Sequence, residues 1–416
     1  MPTLKPKIFQ PRWQIPAVLA VTIVINYFNR NNLSLALPRL AQDFGWSDRE
    51  VGSKGELLLA AFYVSYALSN MLMSPAAERF GPKRSVMMTI CAFSLVTILS
   101  APLGYSLSAL IVLRLLLGLG EGVHIPMASA ITSRWFLSDE RSRANAIWVS
   151  GILLSTSIAP IIIVPLIHLW GWRSTFAGLG IGGMLLSLPL IYFLIPDEPS
   201  HIASPDAVVT ATDFQQQKQQ QKIQQIAYRQ NPLFWLMVTG GSLNAFCSFG
   251  LLNWLPTYFN RAKGIDFEQL GWPLALVYTA GMFGIALMAY LGDKLQGRIQ
   301  LAGMGFLMAG GMVYIASTTT QAVPLVLFFA GAVFCQSAYG AQEYAIVQRI
   351  LPVDRVGAGT GLYNGLAVLL GGVGGSLIPG TIVAMTGSFD AGILSIVVGA
   401  WLASGVMFVL AKSLRY

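Results

Sequence analysis

The chain has 416 residues, of which 55% are hydrophobic and only 11% charged, and its mean hydropathy is +0.62. A soluble chain of this length normally carries about 25% charged residues, so a soluble globular protein is excluded. The formal charge of +8 would suggest a nucleic-acid partner in a soluble protein; in a membrane protein, basic residues in cytoplasmic loops set topology instead, and no nucleic-acid partner is expected.

Uncharged apolar runs of about 20 residues recur along the chain, the length that crosses a bilayer as a helix. Lipid obliges the backbone to satisfy its own hydrogen bonds, and the runs are continuous rather than alternating, which argues against a β-barrel. An all-α integral membrane protein follows. In chain order, the first six spans are predicted near 13–40, 54–75, 85–104, 107–133, 144–168 and 174–195. A second six are predicted near 231–259, 268–291, 299–318, 323–347, 357–385 and 389–411. The opening stretch "MPTLKPKIFQPRW" leads straight into the first span, so no cleavable signal peptide is expected. Cys91, Cys247 and Cys335 lie within apolar runs and imply packing rather than a disulfide framework.

Between the two sets lies a polar, Gln-rich, Pro-flanked stretch. It reads as an exposed connector, giving an amino-terminal six-helix bundle over 1–195, a linker over 196–230 and a carboxyl-terminal bundle over 231–416. Eighteen of the 26 Lys and Arg residues fall in the termini and the even-numbered connections, and six on the opposite side. The positive-inside rule then puts both termini in the cytoplasm. "SPAAERFGPKRS" follows the second span and "GDKLQGR" the eighth, each setting an acid and basic residues in a short cytoplasmic turn. Such a two-half repeat is expected of a secondary transporter with its site at the midplane.

The remaining two basic residues, Arg30 and Arg114, lie inside spans, where a charge costs roughly 2.5–3.5 kcal/mol on insertion scales. In the first span, Tyr27, Arg30, Asn31 and Ser34 share one helical face. Arg30 there serves either a structural ion pair or a water-filled cavity. In the fourth span, Arg114 and Glu121 are two turns apart on one face, roughly 10 Å along the axis. Glu121 is either a fixed ion-pair partner or a proton carrier. Two arginines facing one cavity suggest an anionic substrate, because guanidinium binds carboxylate or phosphate through paired hydrogen bonds. His124, one turn beyond Glu121, either shares the proton or packs as a hydrogen-bonded core residue. Glu343 in the tenth span either lines the cavity or reaches toward the cytoplasm near Arg349. Asn364 is the main mid-depth polar side chain of the Gly-rich eleventh span. Glu56 is expected to be solvated. No nucleophile–base or metal-ligand set appears, so neither an enzyme nor a metal or cofactor site is expected.

Three stretches carry a resemblance: "NYFNRNNLSLALP", "RLLLGLGEGVHIPMASAITSRWFLSDERSRA" and "NWLPTYFNRAKGI". With them the chain resembles the major facilitator superfamily over nearly its full length. Within it, the chain looks like the anion:cation symporter family, the group of bacterial galactonate and hexuronate importers and of animal sialin and vesicular glutamate transporters. "SPAAERFGPKRS" is a general signal of the superfamily, altered here by Ser74 for the usual glycine and Glu78 for the usual aspartate. The resemblance implies that Arg30 and Arg114 bind the substrate anion, that Glu121 carries the proton, and that Tyr27, Tyr66 and Asn364 occupy pocket positions. Glu343 falls where that pocket usually has a small polar residue. Sugar-acid importers of the family carry an aspartate where this chain has Asn29, so one proton site is missing; Glu121 must then carry coupling, with His124 or Glu343. The helix 5 position that contacts sugar hydroxyls in those importers corresponds to Ile152.

The leading expectation is a monomeric inner-membrane symporter that imports a small organic anion with protons by alternating access. The alternatives are an uncoupled facilitator, exchanger or exporter of an organic anion, which Asn29 favours, and a non-transporting membrane sensor, which the lack of a long soluble domain disfavours.

Overall fold

A computed structural model describes residues 11–136, 138–196, 230–295, 297–351 and 356–414. The connector expected at 196–230 lies outside the described residues except for Pro196 and Gln230. All regular structure among the described residues is helical. The amino-terminal half holds α1 (Gln14–Asp43), α2 (Asp48–Phe80), α3 (Pro82–Leu103), α4 (Leu107–Glu121), α5 (His124–Trp135) and α6 (Ser138–Leu194). The carboxyl-terminal half holds α7 (Pro232–Thr257), α8 (Gly271–Leu295), α9 (Arg298–Thr318), α10 (Ala322–Ile350), α11 (Val356–Ala367), α12 (Val373–Thr386) and α13 (Phe389–Ser413).

The interruptions have local causes. Gly171 sits at φ 75° and divides α6 into two rods, a left-handed conformation that favours glycine. Pro126 has no N–H to offer Gly122, and α4 gives way to α5 just there. A wide π turn at Val368–Gly372 joins α11 to α12, so these make one interrupted rod. Counted this way, the described residues form twelve rods. Ten stretches among them are long and apolar enough to cross a membrane, the run 143–194 holding both rods of α6. α1 is not among the ten: Asn26, Asn29, Arg30, Asn31 and Asn32 break its apolar surface. The second span, placed at 54–75 from sequence, runs Asp48–Phe80 instead. Ser47 accepts from the Glu50 backbone N–H and its own N–H donates to the Glu50 carboxylate, which starts α2 early.

Packing differs between the two ends of the molecule. One buried cluster joins both halves at the end away from the termini, with Leu37, Trp46 and Leu58 against Trp254, Leu255 and Phe389. Toward the termini there are two separate clusters. One lies around Ile23, Phe93 and Trp148, the other around Phe234, Phe306 and Met407. The polar contacts that join the halves follow the same gradient. Tyr63 donates to Asn253 at 3.5 Å near the middle. Thr381 donates to Glu56 at 2.7 Å, and Asp48 pairs with Arg261 and Glu268 with His168 beyond it. Glu56 is therefore a partner of the opposite half, not simply a solvated acid. The halves close at one end and part toward the other.

Gly52 is a tight point of that seal. A Cβ there would lie 2.5 Å from the Ala384 nitrogen and 2.7 Å from the Gly380 oxygen. Backbone atoms cannot give way, so Gly52→Val should hold α2 and α12 apart. A cysteine introduced by Val383→Cys, at a buried position of the cluster that joins the halves, with the native cysteines replaced by serine, should then react about tenfold faster with a water-soluble maleimide applied to purified protein. Unchanged labelling would mean that this seam does not seal that end.

Candidate functional site

The site begins with α1. Arg30 is almost fully buried, and its Nε donates to Glu121 Oε2 at 3.4 Å while Nη1 donates to the Tyr27 hydroxyl at 3.2 Å. Three aromatic rings pack on the guanidinium: Tyr66 at 4.3 Å from its carbon, Tyr27 at 4.5 Å and Phe62 at 5.0 Å. Such cation–π contacts offset part of the cost of burying the charge. Nη2 is buried with no hydrogen-bond partner among the described residues. An anion would satisfy it.

Glycines bring Glu121 to this cage. A Cβ at Gly118 would strike Ser65 and the Phe62 carbonyl, and one at Gly122 would lie 2.7 Å from the Tyr66 carbonyl. Without side chains at these two places, α4 packs directly on α2. Glu121 is then the last residue of α4, facing Arg30 and flanked by Asn26.

A cavity of about 310 Å³ opens beside this cluster, between the two halves. Tyr27 lines it from α1, Ile152 and Thr156 from α6, Asn244 and Ser248 from α7, Tyr278 from α8 and Gln336 from α10. Tyr27 is thus the link between Arg30 and the cavity. On the far wall, Gln336 Nε2 donates to Ser248 at 2.8 Å and to Asn244 Oδ1 at 3.2 Å. These three side chains, together with Tyr278, did not stand out in the sequence. The available signal was the spacing of Asn244 and Ser248, one helical turn apart.

The other expected residues lie elsewhere. Arg114 Nη2 donates to Asn32 Oδ1 at 2.8 Å, in a separate cleft of about 10 Å³ inside the amino-terminal half. Glu343 does not line the cavity; its carboxylate accepts from the Tyr363 hydroxyl at 2.6 Å, which in turn bonds the Tyr339 hydroxyl at 2.6 Å. Asn364 is exposed on α11 and also stands off the cavity. Asn29 is fully buried on the other side of α1, its amide donating to the Ile25 carbonyl at 2.9 Å. Its surroundings are Ser94 of α3 and Gly183 of α6. His124 has no exposure, with Thr89 at 3.1 Å from Nδ1 and Thr22 at 3.3 Å from Nε2. Each threonine can turn its hydrogen to its own helix carbonyl or to the ring, so the pocket suits either tautomer. His124→Ala should therefore lower stability by about 1–3 kcal/mol, seen as an earlier thermal unfolding midpoint. An unshifted midpoint would mean that the two threonine contacts contribute nothing.

Residues 19–376 match the family model of the Major Facilitator Superfamily. The chain belongs to that superfamily, and it is a multi-pass membrane transporter, not an enzyme. It is 28% identical to the probable sulfoacetate transporter SauU of Cupriavidus necator, over 91% of this chain and 89% of the relative. It is 25% identical to the hexuronate transporter of Bacillus subtilis, over 96% and 93%. It is 23% identical to the probable L-galactonate transporter of Escherichia coli, over 94% and 86%. Among solved structures, a bacterial homolog of the human lysosomal transporter Spinster, inward-facing and unoccupied, superposes with a TM-score of 0.83 at 17% identity, covering 99% of this chain and 98% of that one. A D-xylose–proton symporter superposes with a TM-score of 0.73 at 17% identity, over 95% and 97%. These likenesses in shape establish the fold.

Proposed function

We propose that the chain is a proton symporter of the anion:cation symporter type that imports a small organic carboxylate or related anion across the cytoplasmic membrane. The two six-helix halves, 1–195 and 231–416, would rock about the cavity with 196–230 as a cytoplasmic connector. The charge asymmetry supports cytoplasmic termini, which makes the parted end of the molecule the inner one. One chain lines the whole cavity, so a monomer suffices.

The observation that carries the reading is the Arg30–Glu121 pair beside a cavity that Tyr27 connects to it. Glu121 and an incoming anion compete for one guanidinium. A proton on Glu121 removes the competitor and frees Arg30 for the anion. Anion binding in turn favours the protonated acid, because the coupling between two sites is reciprocal. Arg114 joins the site through a shift of α1 against α4 within the amino-terminal half that exchanges its bond to Asn32 for the substrate. Tyr66 holds the Arg30 plane, Asn364 and Glu343 meet the substrate from the opposite half as it closes, and His124 keeps α5 seated behind Glu121. Relatives named for sulfoacetate, hexuronate and galactonate support an anionic substrate. The uncoupled reading retains one support, the amide of Asn29 in place of a carboxylate.

The test is affinity against pH. Binding of the transported anion to purified protein, followed by the thermal unfolding midpoint, should strengthen as pH falls through the range where Glu121 takes its proton. Affinity that is flat or weakens with falling pH would contradict coupling through Glu121.

A further inference from the structure

The cavity wall restricts the substrate beyond its charge. Its apolar part is large: Ile152, Leu153, Phe249, Met282, Ile285 and Val333 come from four helices. Three of the five hydroxyls that line the cavity already donate to neighbouring carbonyls. Thr156 donates to the Ile152 carbonyl at 2.9 Å, Ser337 to that of Phe334 at 2.5 Å and Tyr278 to that of Leu252 at 3.5 Å. Gln336 directs its amide to Ser248 and Asn244, which gathers the neutral polar groups of the far wall at a single spot where the Gln336 carbonyl and the Asn244 amide can meet one substrate group. At the other pole stands Tyr27, with Arg30 and its unbonded Nη2 behind it.

From this we infer that the substrate is a monoanion with a hydrocarbon body, an aryl or branched-alkyl carboxylate, rather than a polyhydroxylated sugar acid. The anionic head goes to Tyr27 and Arg30. The body fills the apolar wall, and one polar substituent at most reaches Gln336 and Asn244. A sugar acid would bury several hydroxyls against carbon, each unmet hydrogen bond costing affinity. The volume of about 310 Å³ stands at the lower end of ligand pockets, which run from roughly 300 to 1,000 Å³, and suits a body the size of one ring. This inference rests on the reading of the chain as an anion carrier.

The experiment uses the full chain in liposomes loaded for counterflow. Phenylacetate and 3-methylbutanoate are compared with D-galactonate and with the uncharged phenylacetamide. Phenylacetate should compete about tenfold more strongly than D-galactonate, a difference of one to two buried hydroxyls left unpaired. Ile152→Gln should narrow that gap by weakening phenylacetate and improving D-galactonate. Competition by D-galactonate equal to or stronger than phenylacetate would overturn the hydrocarbon-body assignment and leave the anion carrier standing. Phenylacetamide competing as well as phenylacetate would overturn both, since charge would then play no part.

Discussion

Arg30→Ala is expected to reduce anion affinity by about a hundredfold or more, since truncating one partner of a buried, hydrogen-bonded charge pair costs roughly 2–5 kcal/mol. Two effects combine. The substrate loses its guanidinium partner, and Glu121 is left buried with no cation at its side. Arg30→Lys should fail nearly as badly. An ammonium cannot donate at once to Glu121 and Tyr27 through a planar fork, nor lie flat among the rings of Tyr66, Tyr27 and Phe62. Equilibrium binding to purified protein measures this directly, with thermal unfolding as the check that the variants fold. Wild-type affinity in either variant would remove Arg30 from the binding site.

Glu121→Gln has the second large effect, and it separates binding from energy coupling. The glutamine keeps the shape and can still accept from Arg30, but it cannot exchange a proton. Exchange of substrate across the membrane should persist. Accumulation driven by a pH gradient should fall to the equilibrium level, and binding should lose its dependence on pH. The sign follows from competition for Arg30: in the wild type, low pH neutralises the carboxylate and strengthens anion binding, whereas in the variant that competitor is permanently neutral. Intact gradient-driven accumulation in Glu121→Gln would place the proton elsewhere, with Glu343 and its Tyr363 partner the next group to change.

Much of this was legible in the sequence because charges in apolar spans are conspicuous. Arg30 and Glu121 stood out on that ground alone, and the structure joins them. Gly118 and Gly122, which let α4 pack directly on α2, are what bring the two together. What the sequence could not supply was the direction each polar face takes once the helices pack. Arg114 shares a helical face with Glu121, yet two turns of rise carry it into a different cleft, where Asn32 meets it. Asn29 adjoins Arg30 in sequence, but one residue turns a helix by about 100°. Its side chain therefore faces α3 and α6 within the amino-terminal half, away from the cavity. Asn244, Ser248 and Gln336 escaped notice because neutral polar residues barely disturb an apolar run. They declare themselves only when α7 and α10 meet. The twelve rods, and the gap near Gly171 between the fifth and sixth spans, followed from composition, while the breaks at Gly122 and Val368–Gly372 depend on single residues and neighbouring helices.

The central claim is that one cavity takes an anion and a proton together. It is tested most directly with purified protein in liposomes that enclose a pH dye, with the organic anion panel offered outside. Internal acidification should appear only when a transported anion is supplied, and should vanish in Glu121→Gln while exchange continues. Anion uptake with no movement of protons would contradict symport and favour the uncoupled carrier.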